Sequence, residues 1–216
     1  DFTALPDAGV FIDVASADLA AAAANIALAW GDGNGDGHED LYLVRHDEPN
    51  VLMSRDVTQL VAQTPTILAD GGAGRGAAWG DADHDGDQDL YLINSGGDPS
   101  TATNRLFVNQ GSGNFEISEI GDLALDGWKE QADWLDIDAD GLLDLYVSRD
   151  DAEIELTNVL MRGGAGYVIE TPAGLDLSGD MSGFAWADFN GDGRLDCFVA
   201  VRDGLSKLML QQPDGS

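Results

Sequence analysis

Apolar positions along the chain come in short runs, separated by polar stretches, and not in long helical stripes. Leu41-Tyr-Leu-Val44, Leu90-Tyr-Leu-Ile93, Leu145-Tyr-Val147 and Cys197-Phe-Val-Ala200 are four such runs. β-Branched and aromatic residues dominate them, which favours strand. A further run follows each: Val51-Leu-Met53, Leu106-Phe-Val108, Val159-Leu-Met161 and Leu208-Met-Leu210. Next comes a turn, clearest at Gln110-Gly-Ser-Gly-Asn114 and Arg162-Gly-Gly-Ala-Gly166. After the turn another strand opens on a large apolar residue. Leu60, Phe115 and Tyr167 each stand 19 residues before a tryptophan, Trp79, Trp134 and Trp186, and Phe11 stands 19 before Trp30.

The pattern therefore repeats. The tryptophans lie two residues before Asp32, Asp81, Asp136 and Asp188, and those aspartates are 49, 55 and 52 residues apart. A period near fifty with four short strands per unit predicts an all-β fold, a β-propeller. The count gives four blades of four antiparallel strands, in one domain over residues 1–216, with repeat units of roughly 11–59, 60–114, 115–166 and 167–216. The chain ends where the last blade still needs a fourth strand, and Val10-Phe-Ile-Asp-Val14 is a spare one at the start. The N-terminal strand is thus expected to complete the last blade and close the ring, which protects its edges. Tryptophans at one repeat position are expected to pack between blades. Leu19–Asn25 and Gly71–Gly76 fall between a fourth strand and the next Trp strand and read as connectors.

Between the Trp strand and the next run lies an acidic loop. Asp81-Ala-Asp-His-Asp-Gly-Asp-Gln-Asp89 carries carboxylates at its first, third, fifth and ninth positions and glycine at the sixth. Asp32, Asn34, Asp36 and Asp40 form the same set, as do Asp136, Asp138, Asp140 and Asp144, and Asp188, Asn190, Asp192 and Asp196. Alternating oxygen side chains around a glycine suit a hard cation. Calcium takes six to eight oxygens, whereas Mg²⁺ demands tight octahedral geometry and keeps its waters. The seventh residues, His38, Asp87, Leu142 and Arg194, differ in type and would supply a backbone carbonyl. Position twelve is Leu43, Leu92, Val147 or Val199, so the bidentate Glu of an EF-hand is missing and that reading is excluded. About four Ca²⁺ ions are expected, with the loops of Asn34 and Asn190 binding more weakly for want of one charge.

Composition narrows the partners. Forty acidic residues against ten basic ones give a formal charge of −30, which repels nucleic acid and anionic membranes. With 44% hydrophobic residues in regular runs, the chain is not a disordered acidic tail. No apolar run reaches the ~18 residues of a membrane span. Cys197 is the single cysteine, so no intrachain disulfide forms, and its repeat position is that of Leu41, Leu90 and Leu145, a buried hydrophobe. The sequence starts without Met or signal peptide, as expected of a mature or excised segment. Weak oxygen-rich loops suit the millimolar calcium outside cells, so secretion or the cell surface is expected, in a bacterial setting. No Ser-His-Asp or Cys-His set stands out, and no enzymatic activity is expected.

The units resemble the FG-GAP and VCBS repeats of integrin-type propellers, including bacterial proteins of the ASPIC/UnbV kind. Ala77-Ala-Trp-Gly-Asp-Ala-Asp-His-Asp-Gly-Asp-Gln-Asp-Leu-Tyr-Leu92 and Asn104-Arg-Leu-Phe-Val-Asn-Gln-Gly-Ser-Gly-Asn-Phe115 carry the likeness. The resemblance implies one Ca²⁺ between the first two strands of each blade. It also implies an extracellular role in adhesion, sugar binding or assembly. Such proteins often have seven blades, from which four departs. The expected function is a calcium-stabilised structural or adhesive module, one unit of a tandem array or filament that contacts neighbouring propellers or other subunits. The alternatives are a lectin-like propeller that stacks a glycan on an exposed ring such as Trp128, and an accessory domain of a larger secreted enzyme.

Overall fold

The structure is a computed structural model, which describes residues 25–46, 48–56, 59–71, 73–94, 103–118, 129–149, 158–164, 166–177, 181–202 and 204–213. Among the described residues every regular element is a strand except one 3₁₀ turn at Thr66–Leu68. The first blade holds β1 (Asn25–Gly31), β2 (Asp40–Arg45), β3 (Val51–Asp56) and β4 (Gln59–Ala62). The second holds β5 (Gly74–Gly80), β6 (Asp89–Asn94), β7 (Arg105–Asn109) and β8 (Phe115–Ile117). The third holds β9 (Lys129–Leu135), β10 (Asp144–Arg149), β11 (Val159–Arg162) and β12 (Val168–Ile169). The fourth holds β13 (Met181–Ala187), β14 (Asp196–Val201) and β15 (Lys207–Met209). Each sheet is an antiparallel meander in sequence order, so the chain builds one blade at a time. The four-bladed all-β propeller expected from the repeat is thus present, with three four-stranded sheets and a fourth of three strands among the described residues. The proposed closing strand, Val10–Val14, lies outside those residues, as do most of the Leu19–Asn25 connector and Trp128.

Register explains the regularity. In every blade the Trp strand pairs with the next so that Trp30 faces Leu41, Trp79 faces Leu90, Trp134 faces Leu145 and Trp186 faces Cys197. A bulge interrupts that pairing near the outset of β1, β5 and β13. The second connector is shorter than the sequence suggests. β5 already begins at Gly74, where a Cβ would come within 2.5 Å of Val44, so only glycine lets the strand pass.

The core lies between the blades. Tyr42, Tyr91 and Tyr146 are fully buried, and each meets the tryptophan of the following blade edge-on: Trp79 at 6.4 Å, Trp134 at 6.2 Å and Trp186 at 5.1 Å between ring centroids. Such T-shaped pairs add to the area that they bury. Trp79 and Trp134 also donate their indole N–H across the joint, to the carbonyls of Ala29 and Ala78, both at 3.3 Å. Gly31 and Gly80 make room for these rings, since a Cβ there would fall 2.4 Å and 2.5 Å from the indole. The third joint has Leu135 in that place, and the buried indole N–H of Trp186 finds no acceptor among the described residues. Instead Gln131 spans the joint with both ends of its amide: its N–H donates to the Phe184 carbonyl and its oxygen accepts from the Phe184 N–H, each at 3.2 Å. Cys197 is buried in this cluster, as expected, and burial pushes its thiol up to about 12.

Packing between blades is thus realised for Trp79, Trp134 and Trp186, but not for Trp30, which is more than half exposed. β1 packs on β5, β5 on β9 and β9 on β13, and no comparable packing joins β13 to β1 among the described residues. The innermost strands still share one central channel, lined by all four repeat tryptophans.

Candidate metal centres

Each acidic loop is a short excursion between the first two strands of a blade, and the same hydrogen bonds shape all four. The first aspartate accepts from the backbone N–H groups of the fifth and sixth residues. Asp32 takes Asp36 and Gly37 at 3.1 Å and 2.8 Å, Asp81 takes Asp85 and Gly86 at 3.1 Å, Asp136 takes Asp140 and Gly141 at 3.0 Å, and Asp188 takes Asp192 and Gly193 at 3.0 Å and 2.9 Å. The third side chain, Asn34, Asp83, Asp138 or Asn190, accepts from the fifth N–H. The fifth aspartate, Asp36, Asp85, Asp140 or Asp192, accepts from the N–H of His38, Asp87, Leu142 or Arg194. Both oxygens of the first aspartate and one oxygen of the third and fifth side chains thereby accept backbone N–H groups. The seventh residue enters through its backbone, which accounts for its variable type.

The tight curl needs left-handed backbone at two places. Glycine supplies the sixth, as the sequence suggests, with φ of +83°, +97°, +90° and +86° at Gly37, Gly86, Gly141 and Gly193. The fourth residue is left-handed too, and there Gly35 and Gly191 are joined by His84 at φ +63° and Ala139 at φ +59°. Non-glycine residues pay about 1 kcal/mol or more for that region. His84→Gly is therefore expected to raise the unfolding free energy by about 0.5–1 kcal/mol, less than the strain relieved because glycine also frees the unfolded chain. Urea titration of the two proteins checks this, and a loss of stability would show that His84 makes a contact worth more than its strain.

The ninth aspartate does more than the sequence suggests. Asp40, Asp89, Asp144 and Asp196 are all buried. In the last three, one oxygen accepts from the N–H of the loop's second residue: Ala82 at 2.7 Å, Ile137 at 3.2 Å, Phe189 at 3.0 Å. The other accepts from the end of the third strand or just beyond it: Asn109 at 2.8 Å, Gly163 at 2.9 Å, Gln211 at 2.9 Å. The residue is a clasp between loop and blade, whatever else it binds. Asn109 extends the clasp to the neighbouring blade, donating to the carbonyl of Gly33 at 3.0 Å. Asp40 accepts from Arg55 at 3.4 Å, and its second oxygen is buried with no hydrogen-bond donor among the described residues.

Two loops bring three carboxylates close enough to hold one ion. Oxygens of Asp81, Asp83 and Asp89 lie within 4.8 Å of one another, and so do those of Asp136, Asp138 and Asp140. Where the third residue is an amide, Asn34 or Asn190, no such trio forms among the described residues. Burial shows in the proton affinity of these carboxylates. Burial raises Asp89 from 3.8 to about 6, and Asp83 is raised by burial and by the Asp85 charge. Asp144 and Asp40 are raised mainly by burial. All-oxygen, anionic donor sets of this kind fit a hard cation such as calcium.

Two cations of the chain itself also enter these loops. Arg162 places one guanidinium nitrogen 3.0 Å from Asp138 and 3.1 Å from Asp144, bridging the third and ninth positions of the third loop. Its register partners in the other blades are Ser54, Val108 and Leu210, so the third loop alone carries an internal counter-charge there. Arg194 pairs with Asp192 in the fourth loop and donates to the carbonyl of Gln211 at 3.1 Å. With only ten basic residues in the chain, an arginine one residue past a repeat strand was the available signal for the first of these.

A sequence-family model described as an FG-GAP-like repeat matches residues 32–92 and again 85–147. Each matched stretch runs from one acidic loop through the strand that follows the next. No curated protein matches the chain. With four blades built on one loop design and more than half of its residues matched, the chain belongs to the FG-GAP-like repeat family.

Proposed function

We propose that this chain is an extracellular scaffold module whose blades are each pinned by a calcium ion, and that it serves adhesion or assembly. The observation that carries the reading is the shared wiring of the four loops. In each, backbone N–H groups donate to the acidic side chains; in two of them three carboxylates converge, and a cation of the chain enters only the third and fourth loops. Side chains one, three, five and nine supply oxygens, and the carbonyls of His38, Asp87, Leu142 and Arg194 complete each set. The loops sit between blade strands, so the metal stiffens the scaffold and takes no part in chemistry.

The sites are not equal in this proposal. The Asp81–Asp89 loop has four carboxylates at ligand positions and no internal cation, and it binds first. The Asp136 loop has as many but must displace Arg162. The loops of Asn34 and Asn190 have one charge fewer. Calorimetric titration of the metal-free protein is expected to show close to four calcium ions in more than one affinity class. Asp83→Asn removes the tightest class, and Arg162→Met strengthens one of the others. No heat at millimolar calcium, or magnesium binding as tightly as calcium, would end the reading.

A further inference from the structure

One polar residue breaks the repeat where the innermost strands meet. The residue before the repeat tryptophan is Ala29, Ala78 and Ala185 in the first, second and fourth blades, but Asp133 in the third. The register is the same in all four, opposite Tyr42, Tyr91, Phe198 and Tyr146 respectively. Two residues earlier the third blade departs again, with Gln131 where the others have Ala27, Gly76 and Gly183. A carboxylate and an amide thus stand on β9 at places that the other blades give to alanine or glycine.

Asp133 lines the central channel together with Trp30, Trp79, Trp134 and Trp186. The fold gives its charge little support. A carboxylate removed from water is ordinarily paired or well supplied with donors, as Asp89 and Asp144 are. The Asp133 carboxylate has one hydrogen bond among the described residues, from the Gln131 amide at a long 3.5 Å, and that amide also donates across the joint to Phe184 at 3.2 Å. No basic side chain pairs with Asp133 among the described residues, since Arg45, Arg105, Arg162 and Arg194 pair with other carboxylates. Burial raises its carboxyl above the ordinary 3.8, so the charge is held there at a cost. The joint has given up a bond as well. Trp79 and Trp134 donate to the carbonyls of Ala29 and Ala78, yet Trp186 makes no such bond to the equivalent carbonyl, that of Asp133.

We propose that the central channel binds a small organic cation, an alkylated ammonium, with the Asp133 carboxylate as its counter-ion and the repeat tryptophans as its walls. The channel's volume of about 380 Å³ lies within the range of small-ligand sites, which combine apolar and aromatic walls with a few polar groups. Indole is the side chain that attracts a cation most strongly, and the attraction grows as water is excluded. A metal ion is a poor match. Calcium needs six to eight oxygens, and here the Gln131 oxygen is already taken by the Phe184 N–H at 3.2 Å, which leaves one carboxylate. The chain's charge of −30 draws cations toward the molecule in general, and Asp133 among the tryptophans makes the channel selective for an apolar one. The acidic loops take no part in this site, which does not rest on their metal.

The test is an NMR titration of the full-length protein, in millimolar calcium, with tetramethylammonium chloride, while sodium chloride holds the ionic strength constant. The indole N–H signals of Trp79, Trp134 and Trp186 are expected to shift and to saturate in the millimolar range. Asp133→Ala places there the residue of the other three blades, so it is expected to fold and to bind at least about tenfold more weakly. Its melting temperature checks the fold, and Asp133→Asn is read in its place if alanine is not tolerated. tert-Butanol, of similar shape but uncharged, is expected to bind more weakly than the cation. The absence of a saturable shift in the wild type overturns the proposal. So does equal affinity in the Asp133 variants, which would assign the binding to the acidic surface. Binding of tert-butanol as tight as that of the cation also overturns it, since the channel would then be merely apolar.

Discussion

Trp134→Ala is expected to lower the unfolding free energy by about 3–5 kcal/mol, the range for deleting a large aromatic from a packed core. Trp134 lies at the joint of the second and third blades. It touches Tyr91 at 6.2 Å and Tyr167 at 5.5 Å, covers Gly80, and donates its indole N–H to Ala78 at 3.3 Å. Alanine would leave a cavity between two sheets and strand the carbonyl of Ala78. Tyr91 cannot swing into the space, because it is held by Asn104, whose amide donates to the tyrosine hydroxyl at 2.6 Å. Small domains have only about 5–15 kcal/mol in all, so the loss is a large share of the total. Trp134→Phe keeps the edge-on contact but not the hydrogen bond, and about half the effect should remain. Guanidinium titrations of the three proteins measure this. A change below about 1 kcal/mol for Trp134→Ala would mean that the blades are held by the loops and connectors instead of by their aromatic joints.

How much of this could be read from the letters alone depends on how local each feature is. The acidic loops were legible because their spacing is set within nine residues, and the tryptophans because one position recurs with the period. The blade count and the strand order followed from the same repetition. The clasp that Asp89, Asp144 and Asp196 form was not legible. An aspartate that binds a metal and an aspartate that accepts two backbone N–H groups have the same letter at the same place. The left-handed fourth residue was half hidden, since glycine marks it at Gly35 and Gly191 but His84 and Ala139 do not. Arg162 lies far from the third loop in sequence and reaches Asp138 only because β11 lies beside β10. The exposure of Trp30 could not be read at all. Its repeat position is that of three packed tryptophans, and what differs is the blade on its other side.

The metal and the carboxylates together predict opposite pH profiles with and without calcium. In EGTA, stability is expected to fall as pH rises from about 4 to about 6. Asp89 binds its proton more tightly in the folded chain, at about 6 against an ordinary 3.8, because burial disfavours its charge. Below 3.8 the group is protonated in both states and costs nothing. Between the two values the unfolded chain ionises first, and above about 6 the folded chain carries the full penalty. A shift of that size corresponds to roughly 3 kcal/mol. Asp40, Asp83 and Asp144 are raised as well and act in the same direction. Calcium bound as proposed would reverse the sign, since only ionised carboxylates would hold it. At ten times its dissociation constant each ion adds roughly 1.4 kcal/mol, so four together rival the stability of a small domain. Above pH 6 the two conditions should therefore differ most, and below pH 4 they should converge. Thermal unfolding between pH 3.5 and 8, in EGTA and in millimolar calcium, reads both curves. Parallel curves would show that no ion occupies the loops, and the acidic turns would then be nothing more than hydrogen-bonded corners of the blades.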